Sequence, residues 1–224
     1  MSSSVSAVFF DVDDTLVDYT STSRRALDDA MGAGDSYPLW EAISAPYFER
    51  HGRGEIGFEP MRIARTAAFL RALGRDADAG QAAAFEQARF TALNRSFVLF
   101  DDVLGCLAAL RGQSLRLGVI TNNDGPHQRR KLAMVGLLDA FDAVAISGEI
   151  GAGKPDPAIF GHACAALGVA PAAAVHVGDR LDADALGALG AGLRGVWLDR
   201  LGVAGVERRV PVVSTLEAVP ALVA

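Results

Sequence analysis

Short apolar runs alternate with longer stretches of helical periodicity along most of this chain. Residues 5–10, 115–121, 143–147, 173–178 and 193–198 are predominantly hydrophobic and are bounded by charged or turn-forming residues. Runs of that length, without polar alternation, predict strands buried on both faces. Between them, residues 126–138 carry Leu132, Val135 and Leu138 at helical spacing, and residues 157–167 carry Phe160, Ala163, Cys164 and Leu167. Residues 182–191 are rich in Ala and Leu and stop at Gly192, a common residue just past a helix end. Residues 211–214 add a last short strand before a terminal helix. Strands that alternate with helices need crossovers, which are right-handed, so the pattern predicts an α/β fold: a Rossmann-like, doubly wound parallel sheet covered on both faces.

The stretch from 18 to 96 breaks this rhythm. It has no strand pattern but three helical ones: residues 23–31 (Ala26, Leu27, Ala30, Met31), 60–73 (Ile63, Ala67, Leu70, stopped by Gly74) and 81–93 (Phe85, Ala88, Ala92). It reads as an inserted helical cap at 18–96, an antiparallel bundle placed between the first and second strands. Residues 1–17 and 97–224 then form the α/β core, which resumes with a helix at 102–111.

Composition narrows the class. The 224 residues are 50% hydrophobic and 21% charged, a globular balance rather than a disordered one. With 27 acids against 21 bases the net charge is −6, which disfavours nucleic acid or a membrane surface as partner. Cys106 and Cys164 make no disulfide framework and no Cys-x-x-Cys metal site. The N-terminus shows no signal-peptide pattern, and no apolar run nears the ~18 residues of a membrane span. The expected location is cytoplasmic, and the expected state is a monomer or homodimer.

The polar residues that follow the strands carry the chemistry. The first strand ends in Phe9-Phe10-Asp11-Val12-Asp13-Asp14-Thr15-Leu16. Residues two apart on a strand face the same way, so Asp11 and Asp13 can point together, and adjacent carboxylates need a cation or a proton between them. Ligands of open α/β sheets bind outside the carboxyl ends of the strands, where this pair falls. The second strand ends Thr121-Asn122-Asn123, the third is followed by Gly153-Lys154-Pro155, and the fourth by Gly178-Asp179-Arg180-Leu181-Asp182-Ala183-Asp184. A parallel sheet brings all four groups to one edge.

These four motifs, in this order and each after a predicted strand, resemble those of the haloacid dehalogenase superfamily, in the subfamily with a helical cap after the first strand. The resemblance covers nearly the whole chain. It implies that Asp11 is a nucleophile forming an aspartyl-phosphate, and that Asp13 protonates the leaving oxygen and then deprotonates water. It implies that Thr121 and the amide that follows, at Asn122, hold the phosphoryl oxygens, and that Lys154 offsets charge between nucleophile and phosphate. It further implies Mg²⁺ held by Asp11, Asp179 and the main-chain carbonyl of Asp13, with Asp184 acting through water or orienting the site. Charge counting agrees: four carboxylates and one lysine repel a phosphate dianion unless a hard divalent cation is present.

The implied activity is a Mg²⁺-dependent phosphatase for a small phosphorylated metabolite: a sugar phosphate, phosphoglycolate, a nucleoside monophosphate or acylneuraminate phosphate. Three other readings stand beside it. A phosphomutase shares all four motifs. A 2-haloacid dehalogenase keeps the nucleophile but lacks the second Asp. A receiver-like phospho-acceptor module carries its Asp after a middle strand and has no such insertion. Asp182 is the alternative to Asp184, and Arg180 stands where the family often has a small hydroxyl residue. In the insertion, Arg62 and Arg65 lie one turn apart and suit an anionic substrate group, with a solvated helix face as the other reading. The loop 51–57 is a further candidate to reach the substrate. Asp14 reads as a turn residue, His127 as structural, and His176 and both cysteines as core.

Overall fold

A computed structural model describes residues 4–32, 35–203, 205 and 209–224. It divides into two compact units, Tyr19–Phe97 and the combination of Met1–Asp18 with Val98–Ala224.

The larger unit is built on a parallel sheet of six strands: β1 (Ala7–Phe10), β2 (Arg116–Thr121), β3 (Ala143–Ile146), β4 (Ala174–Gly178), β5 (Arg194–Leu198) and β6 (Val212–Val213). Their spatial order is β3-β2-β1-β4-β5-β6. The apolar runs become strands because parallel central strands are covered on both faces; every residue of β1 and β4 is buried. Ala7, Phe9, Ile120, Ala145 and Ala174 pack with Ile159, Phe160, Ala163, Cys164 and Leu167 of the Pro157–Leu167 helix, and both cysteines are buried.

The order matters for function. From β1 the sheet grows to β2 and β3 on one side and to β4, β5 and β6 on the other. The carboxyl end of β1 is therefore a topological switch point, flanked by the ends of β2 and β4, where open sheets leave a crevice.

The smaller unit is helical: α1 (Tyr19–Met31), α2 (Tyr37–Gly52), α3 (Phe58–Ala72) and α4 (Ala79–Arg95). Leu27, Tyr37, Trp40, Phe69, Leu70 and Ala82 form its core, with Trp40 and Phe69 edge to face at 5.1 Å. A capping box between Asp78 and Gln81 starts α4.

Helix α2 has no counterpart among the sequence-predicted elements. Two prolines disguise it: Pro38 sits in the first turn, where a missing N–H costs nothing, and Pro46 lies inside the helix. Its buried residues Tyr37, Trp40 and Ser44 nevertheless keep helical spacing. The expected 51–57 loop begins as the last turn of α2, and His51 Nδ1 lies 2.9 Å from the Ile56 carbonyl. In the larger unit, α5 spans Val103–Gly112 and the helix expected over 126–138 is shorter. This helix, α6 (Gly125–Met134), ends because Gly136 takes a left-handed φ of +74°, and Leu138 starts a separate 3₁₀ turn.

Candidate active site

The site is assembled from four segments of the larger unit. Asp11 leaves β1 with its N–H on the Val177 carbonyl at 2.9 Å, so β4 fixes where this residue emerges. The chain then turns sharply: Asp14 is left-handed (φ +57°), and Leu16 and Val17 both donate back to the Val12 carbonyl. Thr15 is fully buried, receives the Asp179 N–H at 3.1 Å and donates to Asp179 Oδ1 at 3.4 Å, tying the first motif to the fourth.

Lys154 is the centre of charge. Its ammonium donates to Asp11 Oδ1 at 2.5 Å and to the Ile120 carbonyl at 2.8 Å, and it pairs with Asp184 Oδ1 at 2.6 Å. Asn122 holds the loop that delivers it. Its side-chain oxygen accepts from the Lys154 N–H (2.7 Å) and its amide donates to the Lys154 carbonyl (2.8 Å). The Asn122 side chain is thereby a brace for the third motif.

Asp184 is almost wholly buried, accepts from the Arg180 N–H at 2.9 Å and meets His176 Nε2 at 3.1 Å. This fit needs Gly178, because a Cβ there would come within 2.3 Å of the Asp184 carboxyl carbon. Asp182 points elsewhere, pairing with Arg180 at 3.1 Å where both are largely exposed. Trp197 Nε1 donates to the Asp179 carbonyl at 2.8 Å.

Carboxylate oxygens of Asp11, Asp179 and Asp184 all lie within 4.8 Å of one another. The electrostatics show what that grouping requires. Burial, with repulsion from Asp184 and Asp13, pushes Asp11 up to about 7 against the pull of Lys154. Burial, then repulsion from Asp11 and Asp184, pushes Asp179 up to about 8. Burial also presses on Asp184, but Lys154 and His176 outweigh it and hold that carboxyl well below the usual range. Lys154 stays ionised because Asp11 and Asp184 overcome its own desolvation. Burial lowers His176, which favours the neutral ring. Three acids and one lysine thus leave two charges to neutralise, which two protons or one divalent cation can supply. An all-oxygen donor set of this kind fits a hard cation.

Asp13 does not share the Asp11 cluster. Lys131 Nζ pairs with its Oδ1, and Asn123 Nδ2 donates to Oδ2 at 3.3 Å. Thr121 is buried, and Gln128 Nε2 donates to its Oγ1 at 2.9 Å. Because Gln128 donates to this oxygen, the hydroxyl is an acceptor in that contact and its proton points to a different partner. Lys131 and Gln128 are absent from the sequence-based candidates. They lie three apart on α6, and the one available signal is a polar pair on the inward face of a helix that follows the second motif.

Arg62 and Arg65 belong to the helical unit, where both meet Glu86. Arg62 Nε donates to Oε1 at 2.9 Å, Arg65 Nη2 to the same oxygen at 3.1 Å, and Arg89 Nε to Oε2 at 2.8 Å. Arg89 Nη2 also donates to Oε1 at 2.9 Å and the Thr66 hydroxyl to Oε2 at 2.8 Å, making five donors in all. The guanidinium carbons of Arg65 and Arg89 lie 4.3 and 4.5 Å from the Trp40 ring centre. The arginines form a buried ionic network, not a solvated helix face.

A doubly wound parallel sheet with acids and a lysine gathered at its switch point, carrying a helical insertion after the first strand, defines an α/β scaffold with an acidic site at the sheet edge. The chain belongs to the haloacid dehalogenase-like hydrolases, whose family model matches residues 5–192. It is 37% identical over 172 residues to a phosphoserine phosphatase of Thermus thermophilus, covering 77% of this chain and 67% of that one. It is 34% identical over 225 residues to the N-acylneuraminate-9-phosphatase of Mus musculus, covering 95% and 88%. Among solved structures, the magnesium-bound putative HAD-hydrolase YfnB of Bacillus subtilis superposes with a TM-score of 0.80 at 23% identity, covering 98% of this chain and 99% of that one. A 2-haloacid dehalogenase of Pseudomonas syringae superposes at 0.68 with 28% identity, covering 97% of each chain. No helix among the described residues is long and apolar enough to cross a membrane.

Proposed function

We propose that this protein is a Mg²⁺-dependent phosphatase that hydrolyses a small phosphorylated metabolite through an aspartyl-phosphate on Asp11. The observation that carries this reading is the division of labour between two carboxylates. Asp11 sits on Lys154 among the acids, and Asp13 has partners of its own in Lys131 and Asn123. A dehalogenase has no use for the second group, since halide leaves without a proton, whereas an alkoxide leaving group needs one. The similarity to named phosphatases points the same way.

Asp11, Asp179 and Asp184 would hold the Mg²⁺, with the main-chain carbonyl of Asp13. When bound, the ion neutralises the acids and draws electron density from the phosphoryl group. The residues of the chain do the rest. Lys154 and the Thr121 hydroxyl bind phosphoryl oxygens, with the amide of Asn122. Asp11 attacks phosphorus while Asp13 gives its proton to the departing ester oxygen. Asp13 then takes a proton from the water that attacks the aspartyl-phosphate, and Asp11 is released with orthophosphate. Catalysis of this kind rests on positioning and electrostatics more than on covalent chemistry.

Both cap arginines would serve the ionic network around Glu86, Arg62 with 12% of its side chain exposed and Arg65 with 2%. The enzyme would act in the cytoplasm. The test is a screen of phosphorylated metabolites with magnesium present and after chelation, reading orthophosphate. Steady, magnesium-dependent release from at least one ester supports the reading. Release from none, or a single stoichiometric phosphorylation, overturns it.

A further inference from the structure

Lys131 occupies an unusual position. Its side chain is wholly buried, while its partner Asp13 keeps 24% side-chain exposure. A fully buried lysine is costly to a fold, and an apolar residue of similar volume would be cheaper there unless the charge has a task. Helix α6 is anchored for such a task. Asp124 caps its start, accepting from the His127 N–H at 3.1 Å. Gln128, on the same face and one turn before Lys131, reaches Thr121. One face of one helix therefore contacts two residues of the phosphoryl site that arise from different strands.

We propose that Lys131 is a positioning residue for Asp13. This inference rests on the phosphatase reading and extends it. The ammonium fixes Oδ1 while Asn123 Nδ2 holds Oδ2 only at 3.3 Å, so the ammonium is the main restraint on carboxylate rotation, and the more weakly held Oδ2 is the oxygen that exchanges protons with substrate. In the first step the Oδ2 proton passes to the ester oxygen as its bond to phosphorus breaks and the Asp11 oxygen–phosphorus bond forms. In the second step water's oxygen bonds phosphorus, its proton goes to Oδ2, and the Asp11–phosphorus bond breaks. Without Lys131 the carboxylate samples other rotamers, and an ångström of misplacement is enough to weaken proton transfer.

Substituted phenyl phosphates test this, because p-nitrophenolate leaves without protonation and phenolate is helped by it. The reading is kcat/KM, which reports events through cleavage of the ester bond. Lys131→Met should lose roughly tenfold to a hundredfold on phenyl phosphate and less than about threefold on p-nitrophenyl phosphate, within the range of general acid catalysis. Lys131→Arg, which keeps charge and donors, should restore most of the phenyl phosphate rate. In an Asp13→Asn background, Lys131→Met should cost nothing further. Equal losses on both esters, additive losses in the double variant, or an Arg variant as selective in its loss as the Met variant would each overturn the proposal. If the unmodified enzyme releases orthophosphate from neither aryl ester nor any ester of the metabolite screen, the phosphatase reading fails instead, so the two failures are distinguishable.

Discussion

Glu86→Gln isolates the ionic network of the helical unit. Glu86 is 1% exposed and receives Arg62, Arg65, Arg89 and Thr66 on its two oxygens. Burial alone would push its carboxyl up, but Arg89, Arg65 and Arg62 outweigh burial and hold it at about 2, against the ordinary 4.5. That difference, at about 1.4 kcal/mol per unit, amounts to about 3 kcal/mol of stabilisation. An independent route gives a similar figure: breaking a buried ion pair by removing one partner costs about 3–5 kcal/mol. Glutamine keeps the shape but replaces one acceptor with a donor that faces arginine N–H groups, and it leaves three cations without a counter-charge. Urea unfolding at pH 7 should therefore show a loss of about 3 kcal/mol or more. The acid limb adds a signature. A folded value below the ordinary one gives stability that is complete above about pH 4.5 and fades as pH falls toward 2. The wild type should lose this share in acid and Glu86→Gln should not. A loss below about 1 kcal/mol at pH 7, or identical acid limbs, would refute the account of the network.

The Asp11–Asp179–Asp184 cluster gives the opposite sign. Asp11 and Asp179 have folded values near 7 and 8, so the native state binds more protons than the unfolded chain between about pH 4 and 8. Thermal melting with a chelator should show stability falling as pH rises through that window, and magnesium should remove most of the fall. A chelated protein equally stable at pH 5 and pH 8 would contradict the cluster's electrostatics. Asp11→Asn, assayed on the best ester from the metabolite screen, should lose on the order of 10³-fold or more of turnover, as removal of a nucleophile does. The same variant should melt higher than wild type at pH 8 in chelator, since one of three crowded acids is gone. Wild-type turnover in Asp11→Asn would exclude it as the nucleophile.

The sequence by itself determined the fold class and which polar residues gather at the sheet edge. Continuous apolar runs can be buried only in a sheet covered on both faces, and the polar residues after each run must then meet at one edge. The gathering of Asp11, Thr121, Lys154, Asp179 and Asp184 was legible for that reason, since it depends on position after a strand. Tertiary structure decided what depends on distant partners. The brace of Asn122 on the Lys154 loop spans 32 residues, and the Lys131–Asp13 pair spans 118. Local periodicity carries no information about such pairs. Arg62 and Arg65 read locally as one exposed face or one anion site, and only Glu86, more than twenty residues on, turns them into a buried network. Helix α2 was hidden because proline is a local veto, whereas burial of Tyr37 and Trp40 in the helical core is a long-range reward that outweighs it.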